Sequence, residues 1–201
     1  LGTGISASGS LPFPGVQRRT AVELSRGAIA AAPRWFARAN DDAPRRMRVE
    51  WTDARHYLQV DRQAYDVIIG DVFHPDLVGR SSLLSVQQFR RARARLAPGG
   101  LFVQWLALNQ FDPDSLAVVM RSFQHVFPGA VGFIDGFRFA LVGPENASFA
   151  PLAAVLSHLP AAGDVPDLSG GEGAWTWLGR YWGRLEMAPG PVQGEWAPYI
   201  E

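Results

Sequence analysis

The chain has 201 residues, 47% apolar and 19% charged, which suits one packed α/β domain, with or without a short appendage, and excludes a disordered chain. Nineteen basic and nineteen acidic side chains cancel, which argues against an electrostatic nucleic-acid binder. No Cys is present, so a thiol nucleophile, a redox pair, a disulfide and a thiolate metal site are excluded; every basic residue is Arg, so Schiff-base chemistry and a lysine-bearing phosphate loop are excluded too.

Leu1-Gly2-Thr3-Gly4 reads as the glycine turn leaving a strand, of which Leu1 would be the last residue. The first strand is therefore expected to be cut short, in a chain taken from a longer protein. Residues 6–15 hold Ser, Gly and Pro and predict no clean helix. Arg19–Leu24 predicts a strand ending on an acid, and residues 25–39 a helix with Ile29, Ala32, Trp35 and Phe36 at helical spacing. Arg48–Trp51 and the β-branched run Tyr65–Asp71 predict two more strands. Residues 82–96 predict a helix ended by Pro98-Gly99-Gly100, and Leu101–Trp105 the next strand. Asp112-Pro113 opens a helix as N-cap and first residue, and that helix stops at Pro128-Gly129. Strands at 130–134 and 137–142 flank Asp135-Gly136 as a hairpin. After residue 145 the pattern changes: a helix over 149–159, a loop over 160–174, and a helix over 175–185 carrying Trp175, Trp177, Tyr181 and Trp182. No run of about 18 uncharged apolar residues is present to span a membrane.

Repeated β-α-β units predict a mostly parallel sheet with helices on both faces, and the terminal antiparallel hairpin marks a methyltransferase-like Rossmann fold. Residues 1–145 are expected to form that domain and 146–201 a helical and loop appendage packed on it.

Four places offer chemistry. Gly2 and Gly4 let a ligand approach the backbone, and Glu23, closing the next strand, suits two ribose hydroxyls; the plainer reading is a tight turn with a solvated Glu. The lack of a third glycine where a pyrophosphate would sit favours a nucleoside without one. Asp53, just past a strand, suits an adenine amino group with the Ala54 N–H on the ring, and suits equally well a helix N-cap. Asp71, at the carboxyl end of the central strand, is placed to hold or deprotonate a nucleophile. His74 adds a group titrating near neutrality, or a loop-packing histidine. Gln104 and Trp105 end the neighbouring strand, where an amide and an indole could line an amine or alkyl pocket, or where the indole simply packs in the core. His56, His125 and His158 show no ligand spacing, and no metal is expected.

The order Leu-Gly-Thr-Gly, Val-Glu-Leu, Asp-Ala-Arg, Tyr-Asp-Val-Ile-Ile-Gly-Asp and Leu-Ala-Pro-Gly-Gly-Leu-Phe-Val-Gln-Trp resembles the spermidine synthase family of aminopropyltransferases. It looks closest to bacterial spermidine-synthase-like domains fused to transporter-like membrane segments, where stretches similar to Asp71-Val72-Phe73-His74-Pro75 and Ala197-Pro198-Tyr199-Ile200-Glu201 recur. The resemblance covers residues 1–145 and touches the last few. It implies a decarboxylated S-adenosylmethionine donor, attacked at its aminopropyl carbon by a polyamine nitrogen. By position, Gly2 and Gly4 line the donor, Glu23 binds its ribose, Asp53 and Ala54 meet the adenine, Asp71 is the first acid of the catalytic loop and Gln104 lies near the amine. One departure stands out: where the family's loop has a second Asp, this chain has His74, which accepts a proton but does not attract a cationic amine as a carboxylate does.

The expected function is aminopropyl transfer from decarboxylated S-adenosylmethionine to an amine in polyamine biosynthesis. The alternatives are an S-adenosylmethionine-dependent methyltransferase, separated by whether the methionine carboxylate is accommodated, and a non-catalytic nucleoside-binding domain attached to a membrane protein. The expected partners are a small-molecule amine, an upstream membrane segment and a second copy in a homodimer, with no nucleic acid. The expected location is the cytoplasm, as a free protein or as the cytoplasmic domain of a membrane protein.

Overall fold

The computed structural model describes residues 1–71, 81–149 and 179–200. His74, Trp175, Trp177, the loop expected over 160–174 and nearly all of the helix expected over 149–159 lie outside the described residues. The chain divides into two compact units, residues 1–61 with 160–173 and residues 62–159 with 174–201, and each is described by itself.

In the first unit the glycine turn leads into one short helix, α1 (Ile5–Ser8), in a stretch whose sequence promised none. Strand β1 (Thr20–Glu23) lies parallel to β2 (Arg48–Trp51), in register from Thr20 opposite Arg48 to Glu23 opposite Trp51. Between them runs α2 (Arg26–Trp35), capped by the Ser25 hydroxyl, which accepts from the Ala28 N–H at 3.2 Å. This helix is shorter than the expected 25–39. Pro33 supplies no N–H to its last turn, and Trp35 points to solvent, 72% exposed. Helix α3 (Ala54–Val60) follows β2, with Asp53 as its N-cap.

The second unit is a five-stranded sheet in the order β3-β4-β6-β5-β7. Strand β3 (Tyr65–Asp71) is parallel to β4 (Leu96–Ala107); β4 pairs antiparallel with β6 (Arg138–Pro144), and β6 antiparallel with β5 (Val131–Asp135). The Asp135-Gly136 hairpin is thus present as the sequence indicated. Two expectations change. The Pro98-Gly99-Gly100 stretch does not end a helix: α4 (Val86–Arg93) has already stopped, and β4 begins at Leu96. A register shift, with Tyr65 opposite Leu96 and Val67 opposite Leu101, absorbs the extra residues. Residues 181–184, read as helical, form strand β7 (Tyr181–Arg184), antiparallel to β5. Pairing with an available sheet edge, with Tyr181 edge-on to Phe133 and Trp182 edge-on to Phe139, outweighs the helical spacing of the aromatics.

One face of this sheet carries α4 and α5 (Pro113–Val126), the latter capped by Asp112, which accepts from the Asp114 and Ser115 N–H groups. The core between them is aromatic. Phe89, Phe102, Phe123 and Phe127 are buried, with ring centroids 4.9–5.9 Å apart. Among the described residues no helix is long and apolar enough to cross a membrane.

Candidate functional site

The first unit assembles four of its sequence-marked residues at one edge. Because β1 and β2 are parallel and in register, Glu23 and the Thr52-Asp53 turn leave the sheet at the same end, and the Thr52 N–H donates to the Glu23 carbonyl at 3.1 Å. The glycine turn meets that end directly. The Gly2 N–H donates to Glu23 Oε2 at 3.0 Å, and the Ser25 N–H donates to Oε1 at 2.8 Å. Burial alone would raise the Glu23 pKa, but the Gly2 and Ser25 backbone N–H groups act against it, and the carboxyl lies below its ordinary value. The acid is therefore ionised and oriented at neutral pH.

Gly4 explains why the turn needs glycine. It sits at φ 81°, and a Cβ there would come within 3.0 Å of Asn40 Nδ2 and 3.2 Å of Pro44 Cγ. Asn40 is the residue that sequence reading missed. It is fully buried, and its Nδ2 donates to the Thr3 carbonyl at 2.8 Å and the Ala32 carbonyl at 3.0 Å, tying the middle of the glycine turn to α2. A lone Asn 37 residues from its partner leaves no local pattern to read.

Asp53 takes up the N-cap role. Its Oδ1 accepts from the Arg55 N–H at 2.7 Å, and its carboxylate pairs with the Arg55 guanidinium at 2.7 Å. The Arg55 side chain is the first cause of its lowered pKa, opposed by burial and helped by the Arg55 backbone N–H. Ala54 is the first residue of α3, beside that carboxylate.

In the second unit the β3–β4 ladder sets Asp71 opposite Trp105 and Gly70 opposite Gln104. Asp71 is exposed at the carboxyl end of its strand, and Trp105 is half-buried on the rung beside it. Gln104 is different: it is 1% exposed, and its Nε2 donates to the carbonyls of Gly70 at 3.1 Å and Trp105 at 3.0 Å. A Cβ at position 70 would collide with that amide, so Gly70 is needed for close approach. The Gln104 amide thus clasps the two strands directly behind Asp71, and no open pocket wall is formed by it.

No protein-family model matches the chain. Over 132 residues, 63% of its length, the chain is 31% identical to polyamine aminopropyltransferase 2 of Pseudomonas aeruginosa. Among solved structures it is similar to a spermidine synthase in complex with the transition-state analogue AdoDATO, with TM-score 0.63, 18% identity and 75% of the chain covered. It is also similar to human methyltransferase-like protein 13 in complex with SAH, with TM-score 0.57, 20% identity, and 82% of this chain and 73% of that one covered. The chain spans 37% of the Pseudomonas enzyme and 56% of the spermidine synthase. These likenesses establish the Rossmann-like fold of the S-adenosylmethionine-dependent methyltransferases, which spermidine synthase shares, as the fold of this chain.

Proposed function

We propose that this chain is a spermidine synthase-like transferase domain that moves an aminopropyl group from decarboxylated S-adenosylmethionine to an amine. The observation that carries the reading is the Glu23 carboxylate, ionised and bonded to the Gly2 N–H in the turn that would face a nucleoside. The resemblance to an aminopropyltransferase at 31% identity supports the choice of transferred group.

In this reading Glu23 accepts from the ribose hydroxyls, and Gly2 and Gly4 leave room for the donor to lie against the backbone. Asp53 and Ala54 flank the adenine. The donor's sulfonium already activates its aminopropyl carbon. The amine lone pair forms the new N–C bond as the C–S bond breaks, methylthioadenosine leaves, and the surplus proton on nitrogen passes to a base. Catalysis is then mainly positioning. Asp71 attracts and orients the cationic amine, Trp105 lines its approach, Gln104 holds the Asp71 backbone, and His74 takes the proton.

Calorimetry with decarboxylated and ordinary S-adenosylmethionine, followed by a transfer assay with putrescine and spermidine, tests this. Tighter binding of the decarboxylated donor and release of methylthioadenosine are expected. Asp71→Asn, which keeps the shape and removes the charge, should lower transfer about 10²–10⁴-fold with donor binding nearly unchanged. Preference for ordinary S-adenosylmethionine, with methyl transfer, would make the chain a methyltransferase. Donor binding with no transfer to any acceptor would make it a nucleoside-binding regulatory domain.

A further inference from the structure

Trp51 is a large aromatic residue 54% exposed to solvent, yet it is held in place twice. Its Nε1–H donates to the Leu24 carbonyl at 3.0 Å, which fixes the plane of the ring. The guanidinium of Arg26, the first residue of α2, lies over the ring 3.5 Å from its centroid. One face of the indole is therefore covered by a cation, and its large remaining exposure comes from the opposite face and the edge. Packing of the core does not account for this arrangement; the hydrogen bond and the cation hold the exposed ring in place.

The place on the ladder is informative. Trp51 is the direct partner of Glu23, so the two α-carbons sit about 4.8 Å apart on adjacent parallel strands. A ribose on the Glu23 carboxylate carries its base within reach of the next side chain on that rung. Asp53 is poorly free to take that base by its edge, since both of its oxygens accept from Arg55.

We infer that Trp51, stacked on Arg26, is the platform on which the nucleoside's base lies, so that the base is gripped chiefly by its face. The inference rests on the nucleoside reading of Glu23 and names a residue for which nothing in the sequence suggested a role. A stacked base is favoured because the ring is already oriented, which removes part of the ordering cost on binding. Arg26 polarises the indole from behind and holds its plane.

The test is titration of the wild-type chain and four variants with methylthioadenosine, by calorimetry and by tryptophan fluorescence. Trp51→Phe keeps an aromatic face and should bind within a few-fold of wild type. Trp51→Leu keeps apolar bulk without a π-face and should bind about 5- to 100-fold more weakly. Arg26→Met should weaken binding about 2- to 5-fold. Glu23→Gln reports on the ribose contact. In wild type the ligand should quench fluorescence, and that quenching should be missing in Trp51→Phe, a readout that does not depend on how well Trp51→Leu folds. If Trp51→Leu binds like wild type while Glu23→Gln binds weakly, the platform is wrong and the nucleoside reading stands. Quenching that persists in Trp51→Phe overturns the platform equally. If wild type does not bind methylthioadenosine, the nucleoside reading fails and the platform with it.

Discussion

Glu23 is a carboxylate held in place by backbone bonds from Gly2 and Ser25, and its pH behaviour should show it. Its folded-state pKa lies below the ordinary value: burial works against this, and the Gly2 and Ser25 N–H groups favour the ionised form. A depressed carboxyl pKa stabilises the fold above the unfolded value of about 4.3, and that stabilisation is lost as pH falls through the folded value. An NMR titration of the Glu23 carboxyl carbon should therefore give a midpoint below that of a free glutamate, and the Gly2 and Ser25 amides should exchange faster as it protonates. A midpoint at or above the free value would show that the bonds from Gly2 and Ser25 do not persist in solution. Asn40 makes a second expectation at this scale. Replacing it by Ala leaves the Thr3 and Ala32 carbonyls without their buried donor, which should cost about 1–3 kcal/mol in urea unfolding. An unchanged midpoint would mean that the glycine turn does not depend on this tether.

At the scale of elements, the C-terminal segment after β7 is fastened by several side chains, among them Gln124, Arg121 and Gln193. Gln193 is fully buried; its backbone N–H donates to the Ser122 hydroxyl on α5 at 2.7 Å, and its Oε1 accepts from the Tyr199 and Ile200 N–H groups at 2.8 and 3.0 Å. The Arg91–Glu195 ion pair at 2.7 Å ties the segment to α4, as does the Glu195 N–H, which donates to Gln87 Oε1 at 3.1 Å. Gln193→Ala should lose about 1–3 kcal/mol and open residues 196–199 to chymotrypsin, which cuts after the exposed Trp196 and Tyr199. Cleavage no faster than in wild type would show that the other bonds of the segment suffice. Such a segment was not legible in the sequence, because Gln193 has no local pattern and its partners lie on another element. The same cause hid β7: Tyr181 and Trp182 sit at a spacing compatible with a helix, and only a free edge on β5 makes them a strand. What could be read was local. The β-branched run of β3, the Asp112-Pro113 start of α5 and the Asp135-Gly136 hairpin carry their own signals, and all three are in place. At the candidate site, the glycine turn and Glu23 were legible because each marks a strand end. The Asn40 tether and the Gln104 clasp were not, because both bond to backbone far away in sequence.

Across the whole molecule, the two compact units differ in what holds them. The second buries a four-phenylalanine cluster with Leu84, Leu141 and Leu185 around it. In the first, the buried apolar side chains among the described residues are only Ala32, Ala43 and Pro44, and the packing rests on Asn40, Glu23 and the paired strands β1 and β2. Burying little apolar area gives little protection against opening. In native-state hydrogen exchange, the β1 and β2 amides should therefore open at lower free energy than those of β4 and α5. That difference makes a ligand's effect easy to localise. On the proposed function, methylthioadenosine held by Glu23 would bind the folded first unit and not its opened form, so at about 100 times its Kd it should add roughly 2.7 kcal/mol to the opening free energy there. The added protection should appear at Gly2, Ser25 and Thr52, whose amides bond to Glu23 or its carbonyl. Glu23→Gln should largely remove it at the same ligand concentration. Protection that rises in β4 and α5 while these three amides stay unchanged would place the nucleoside elsewhere on the chain.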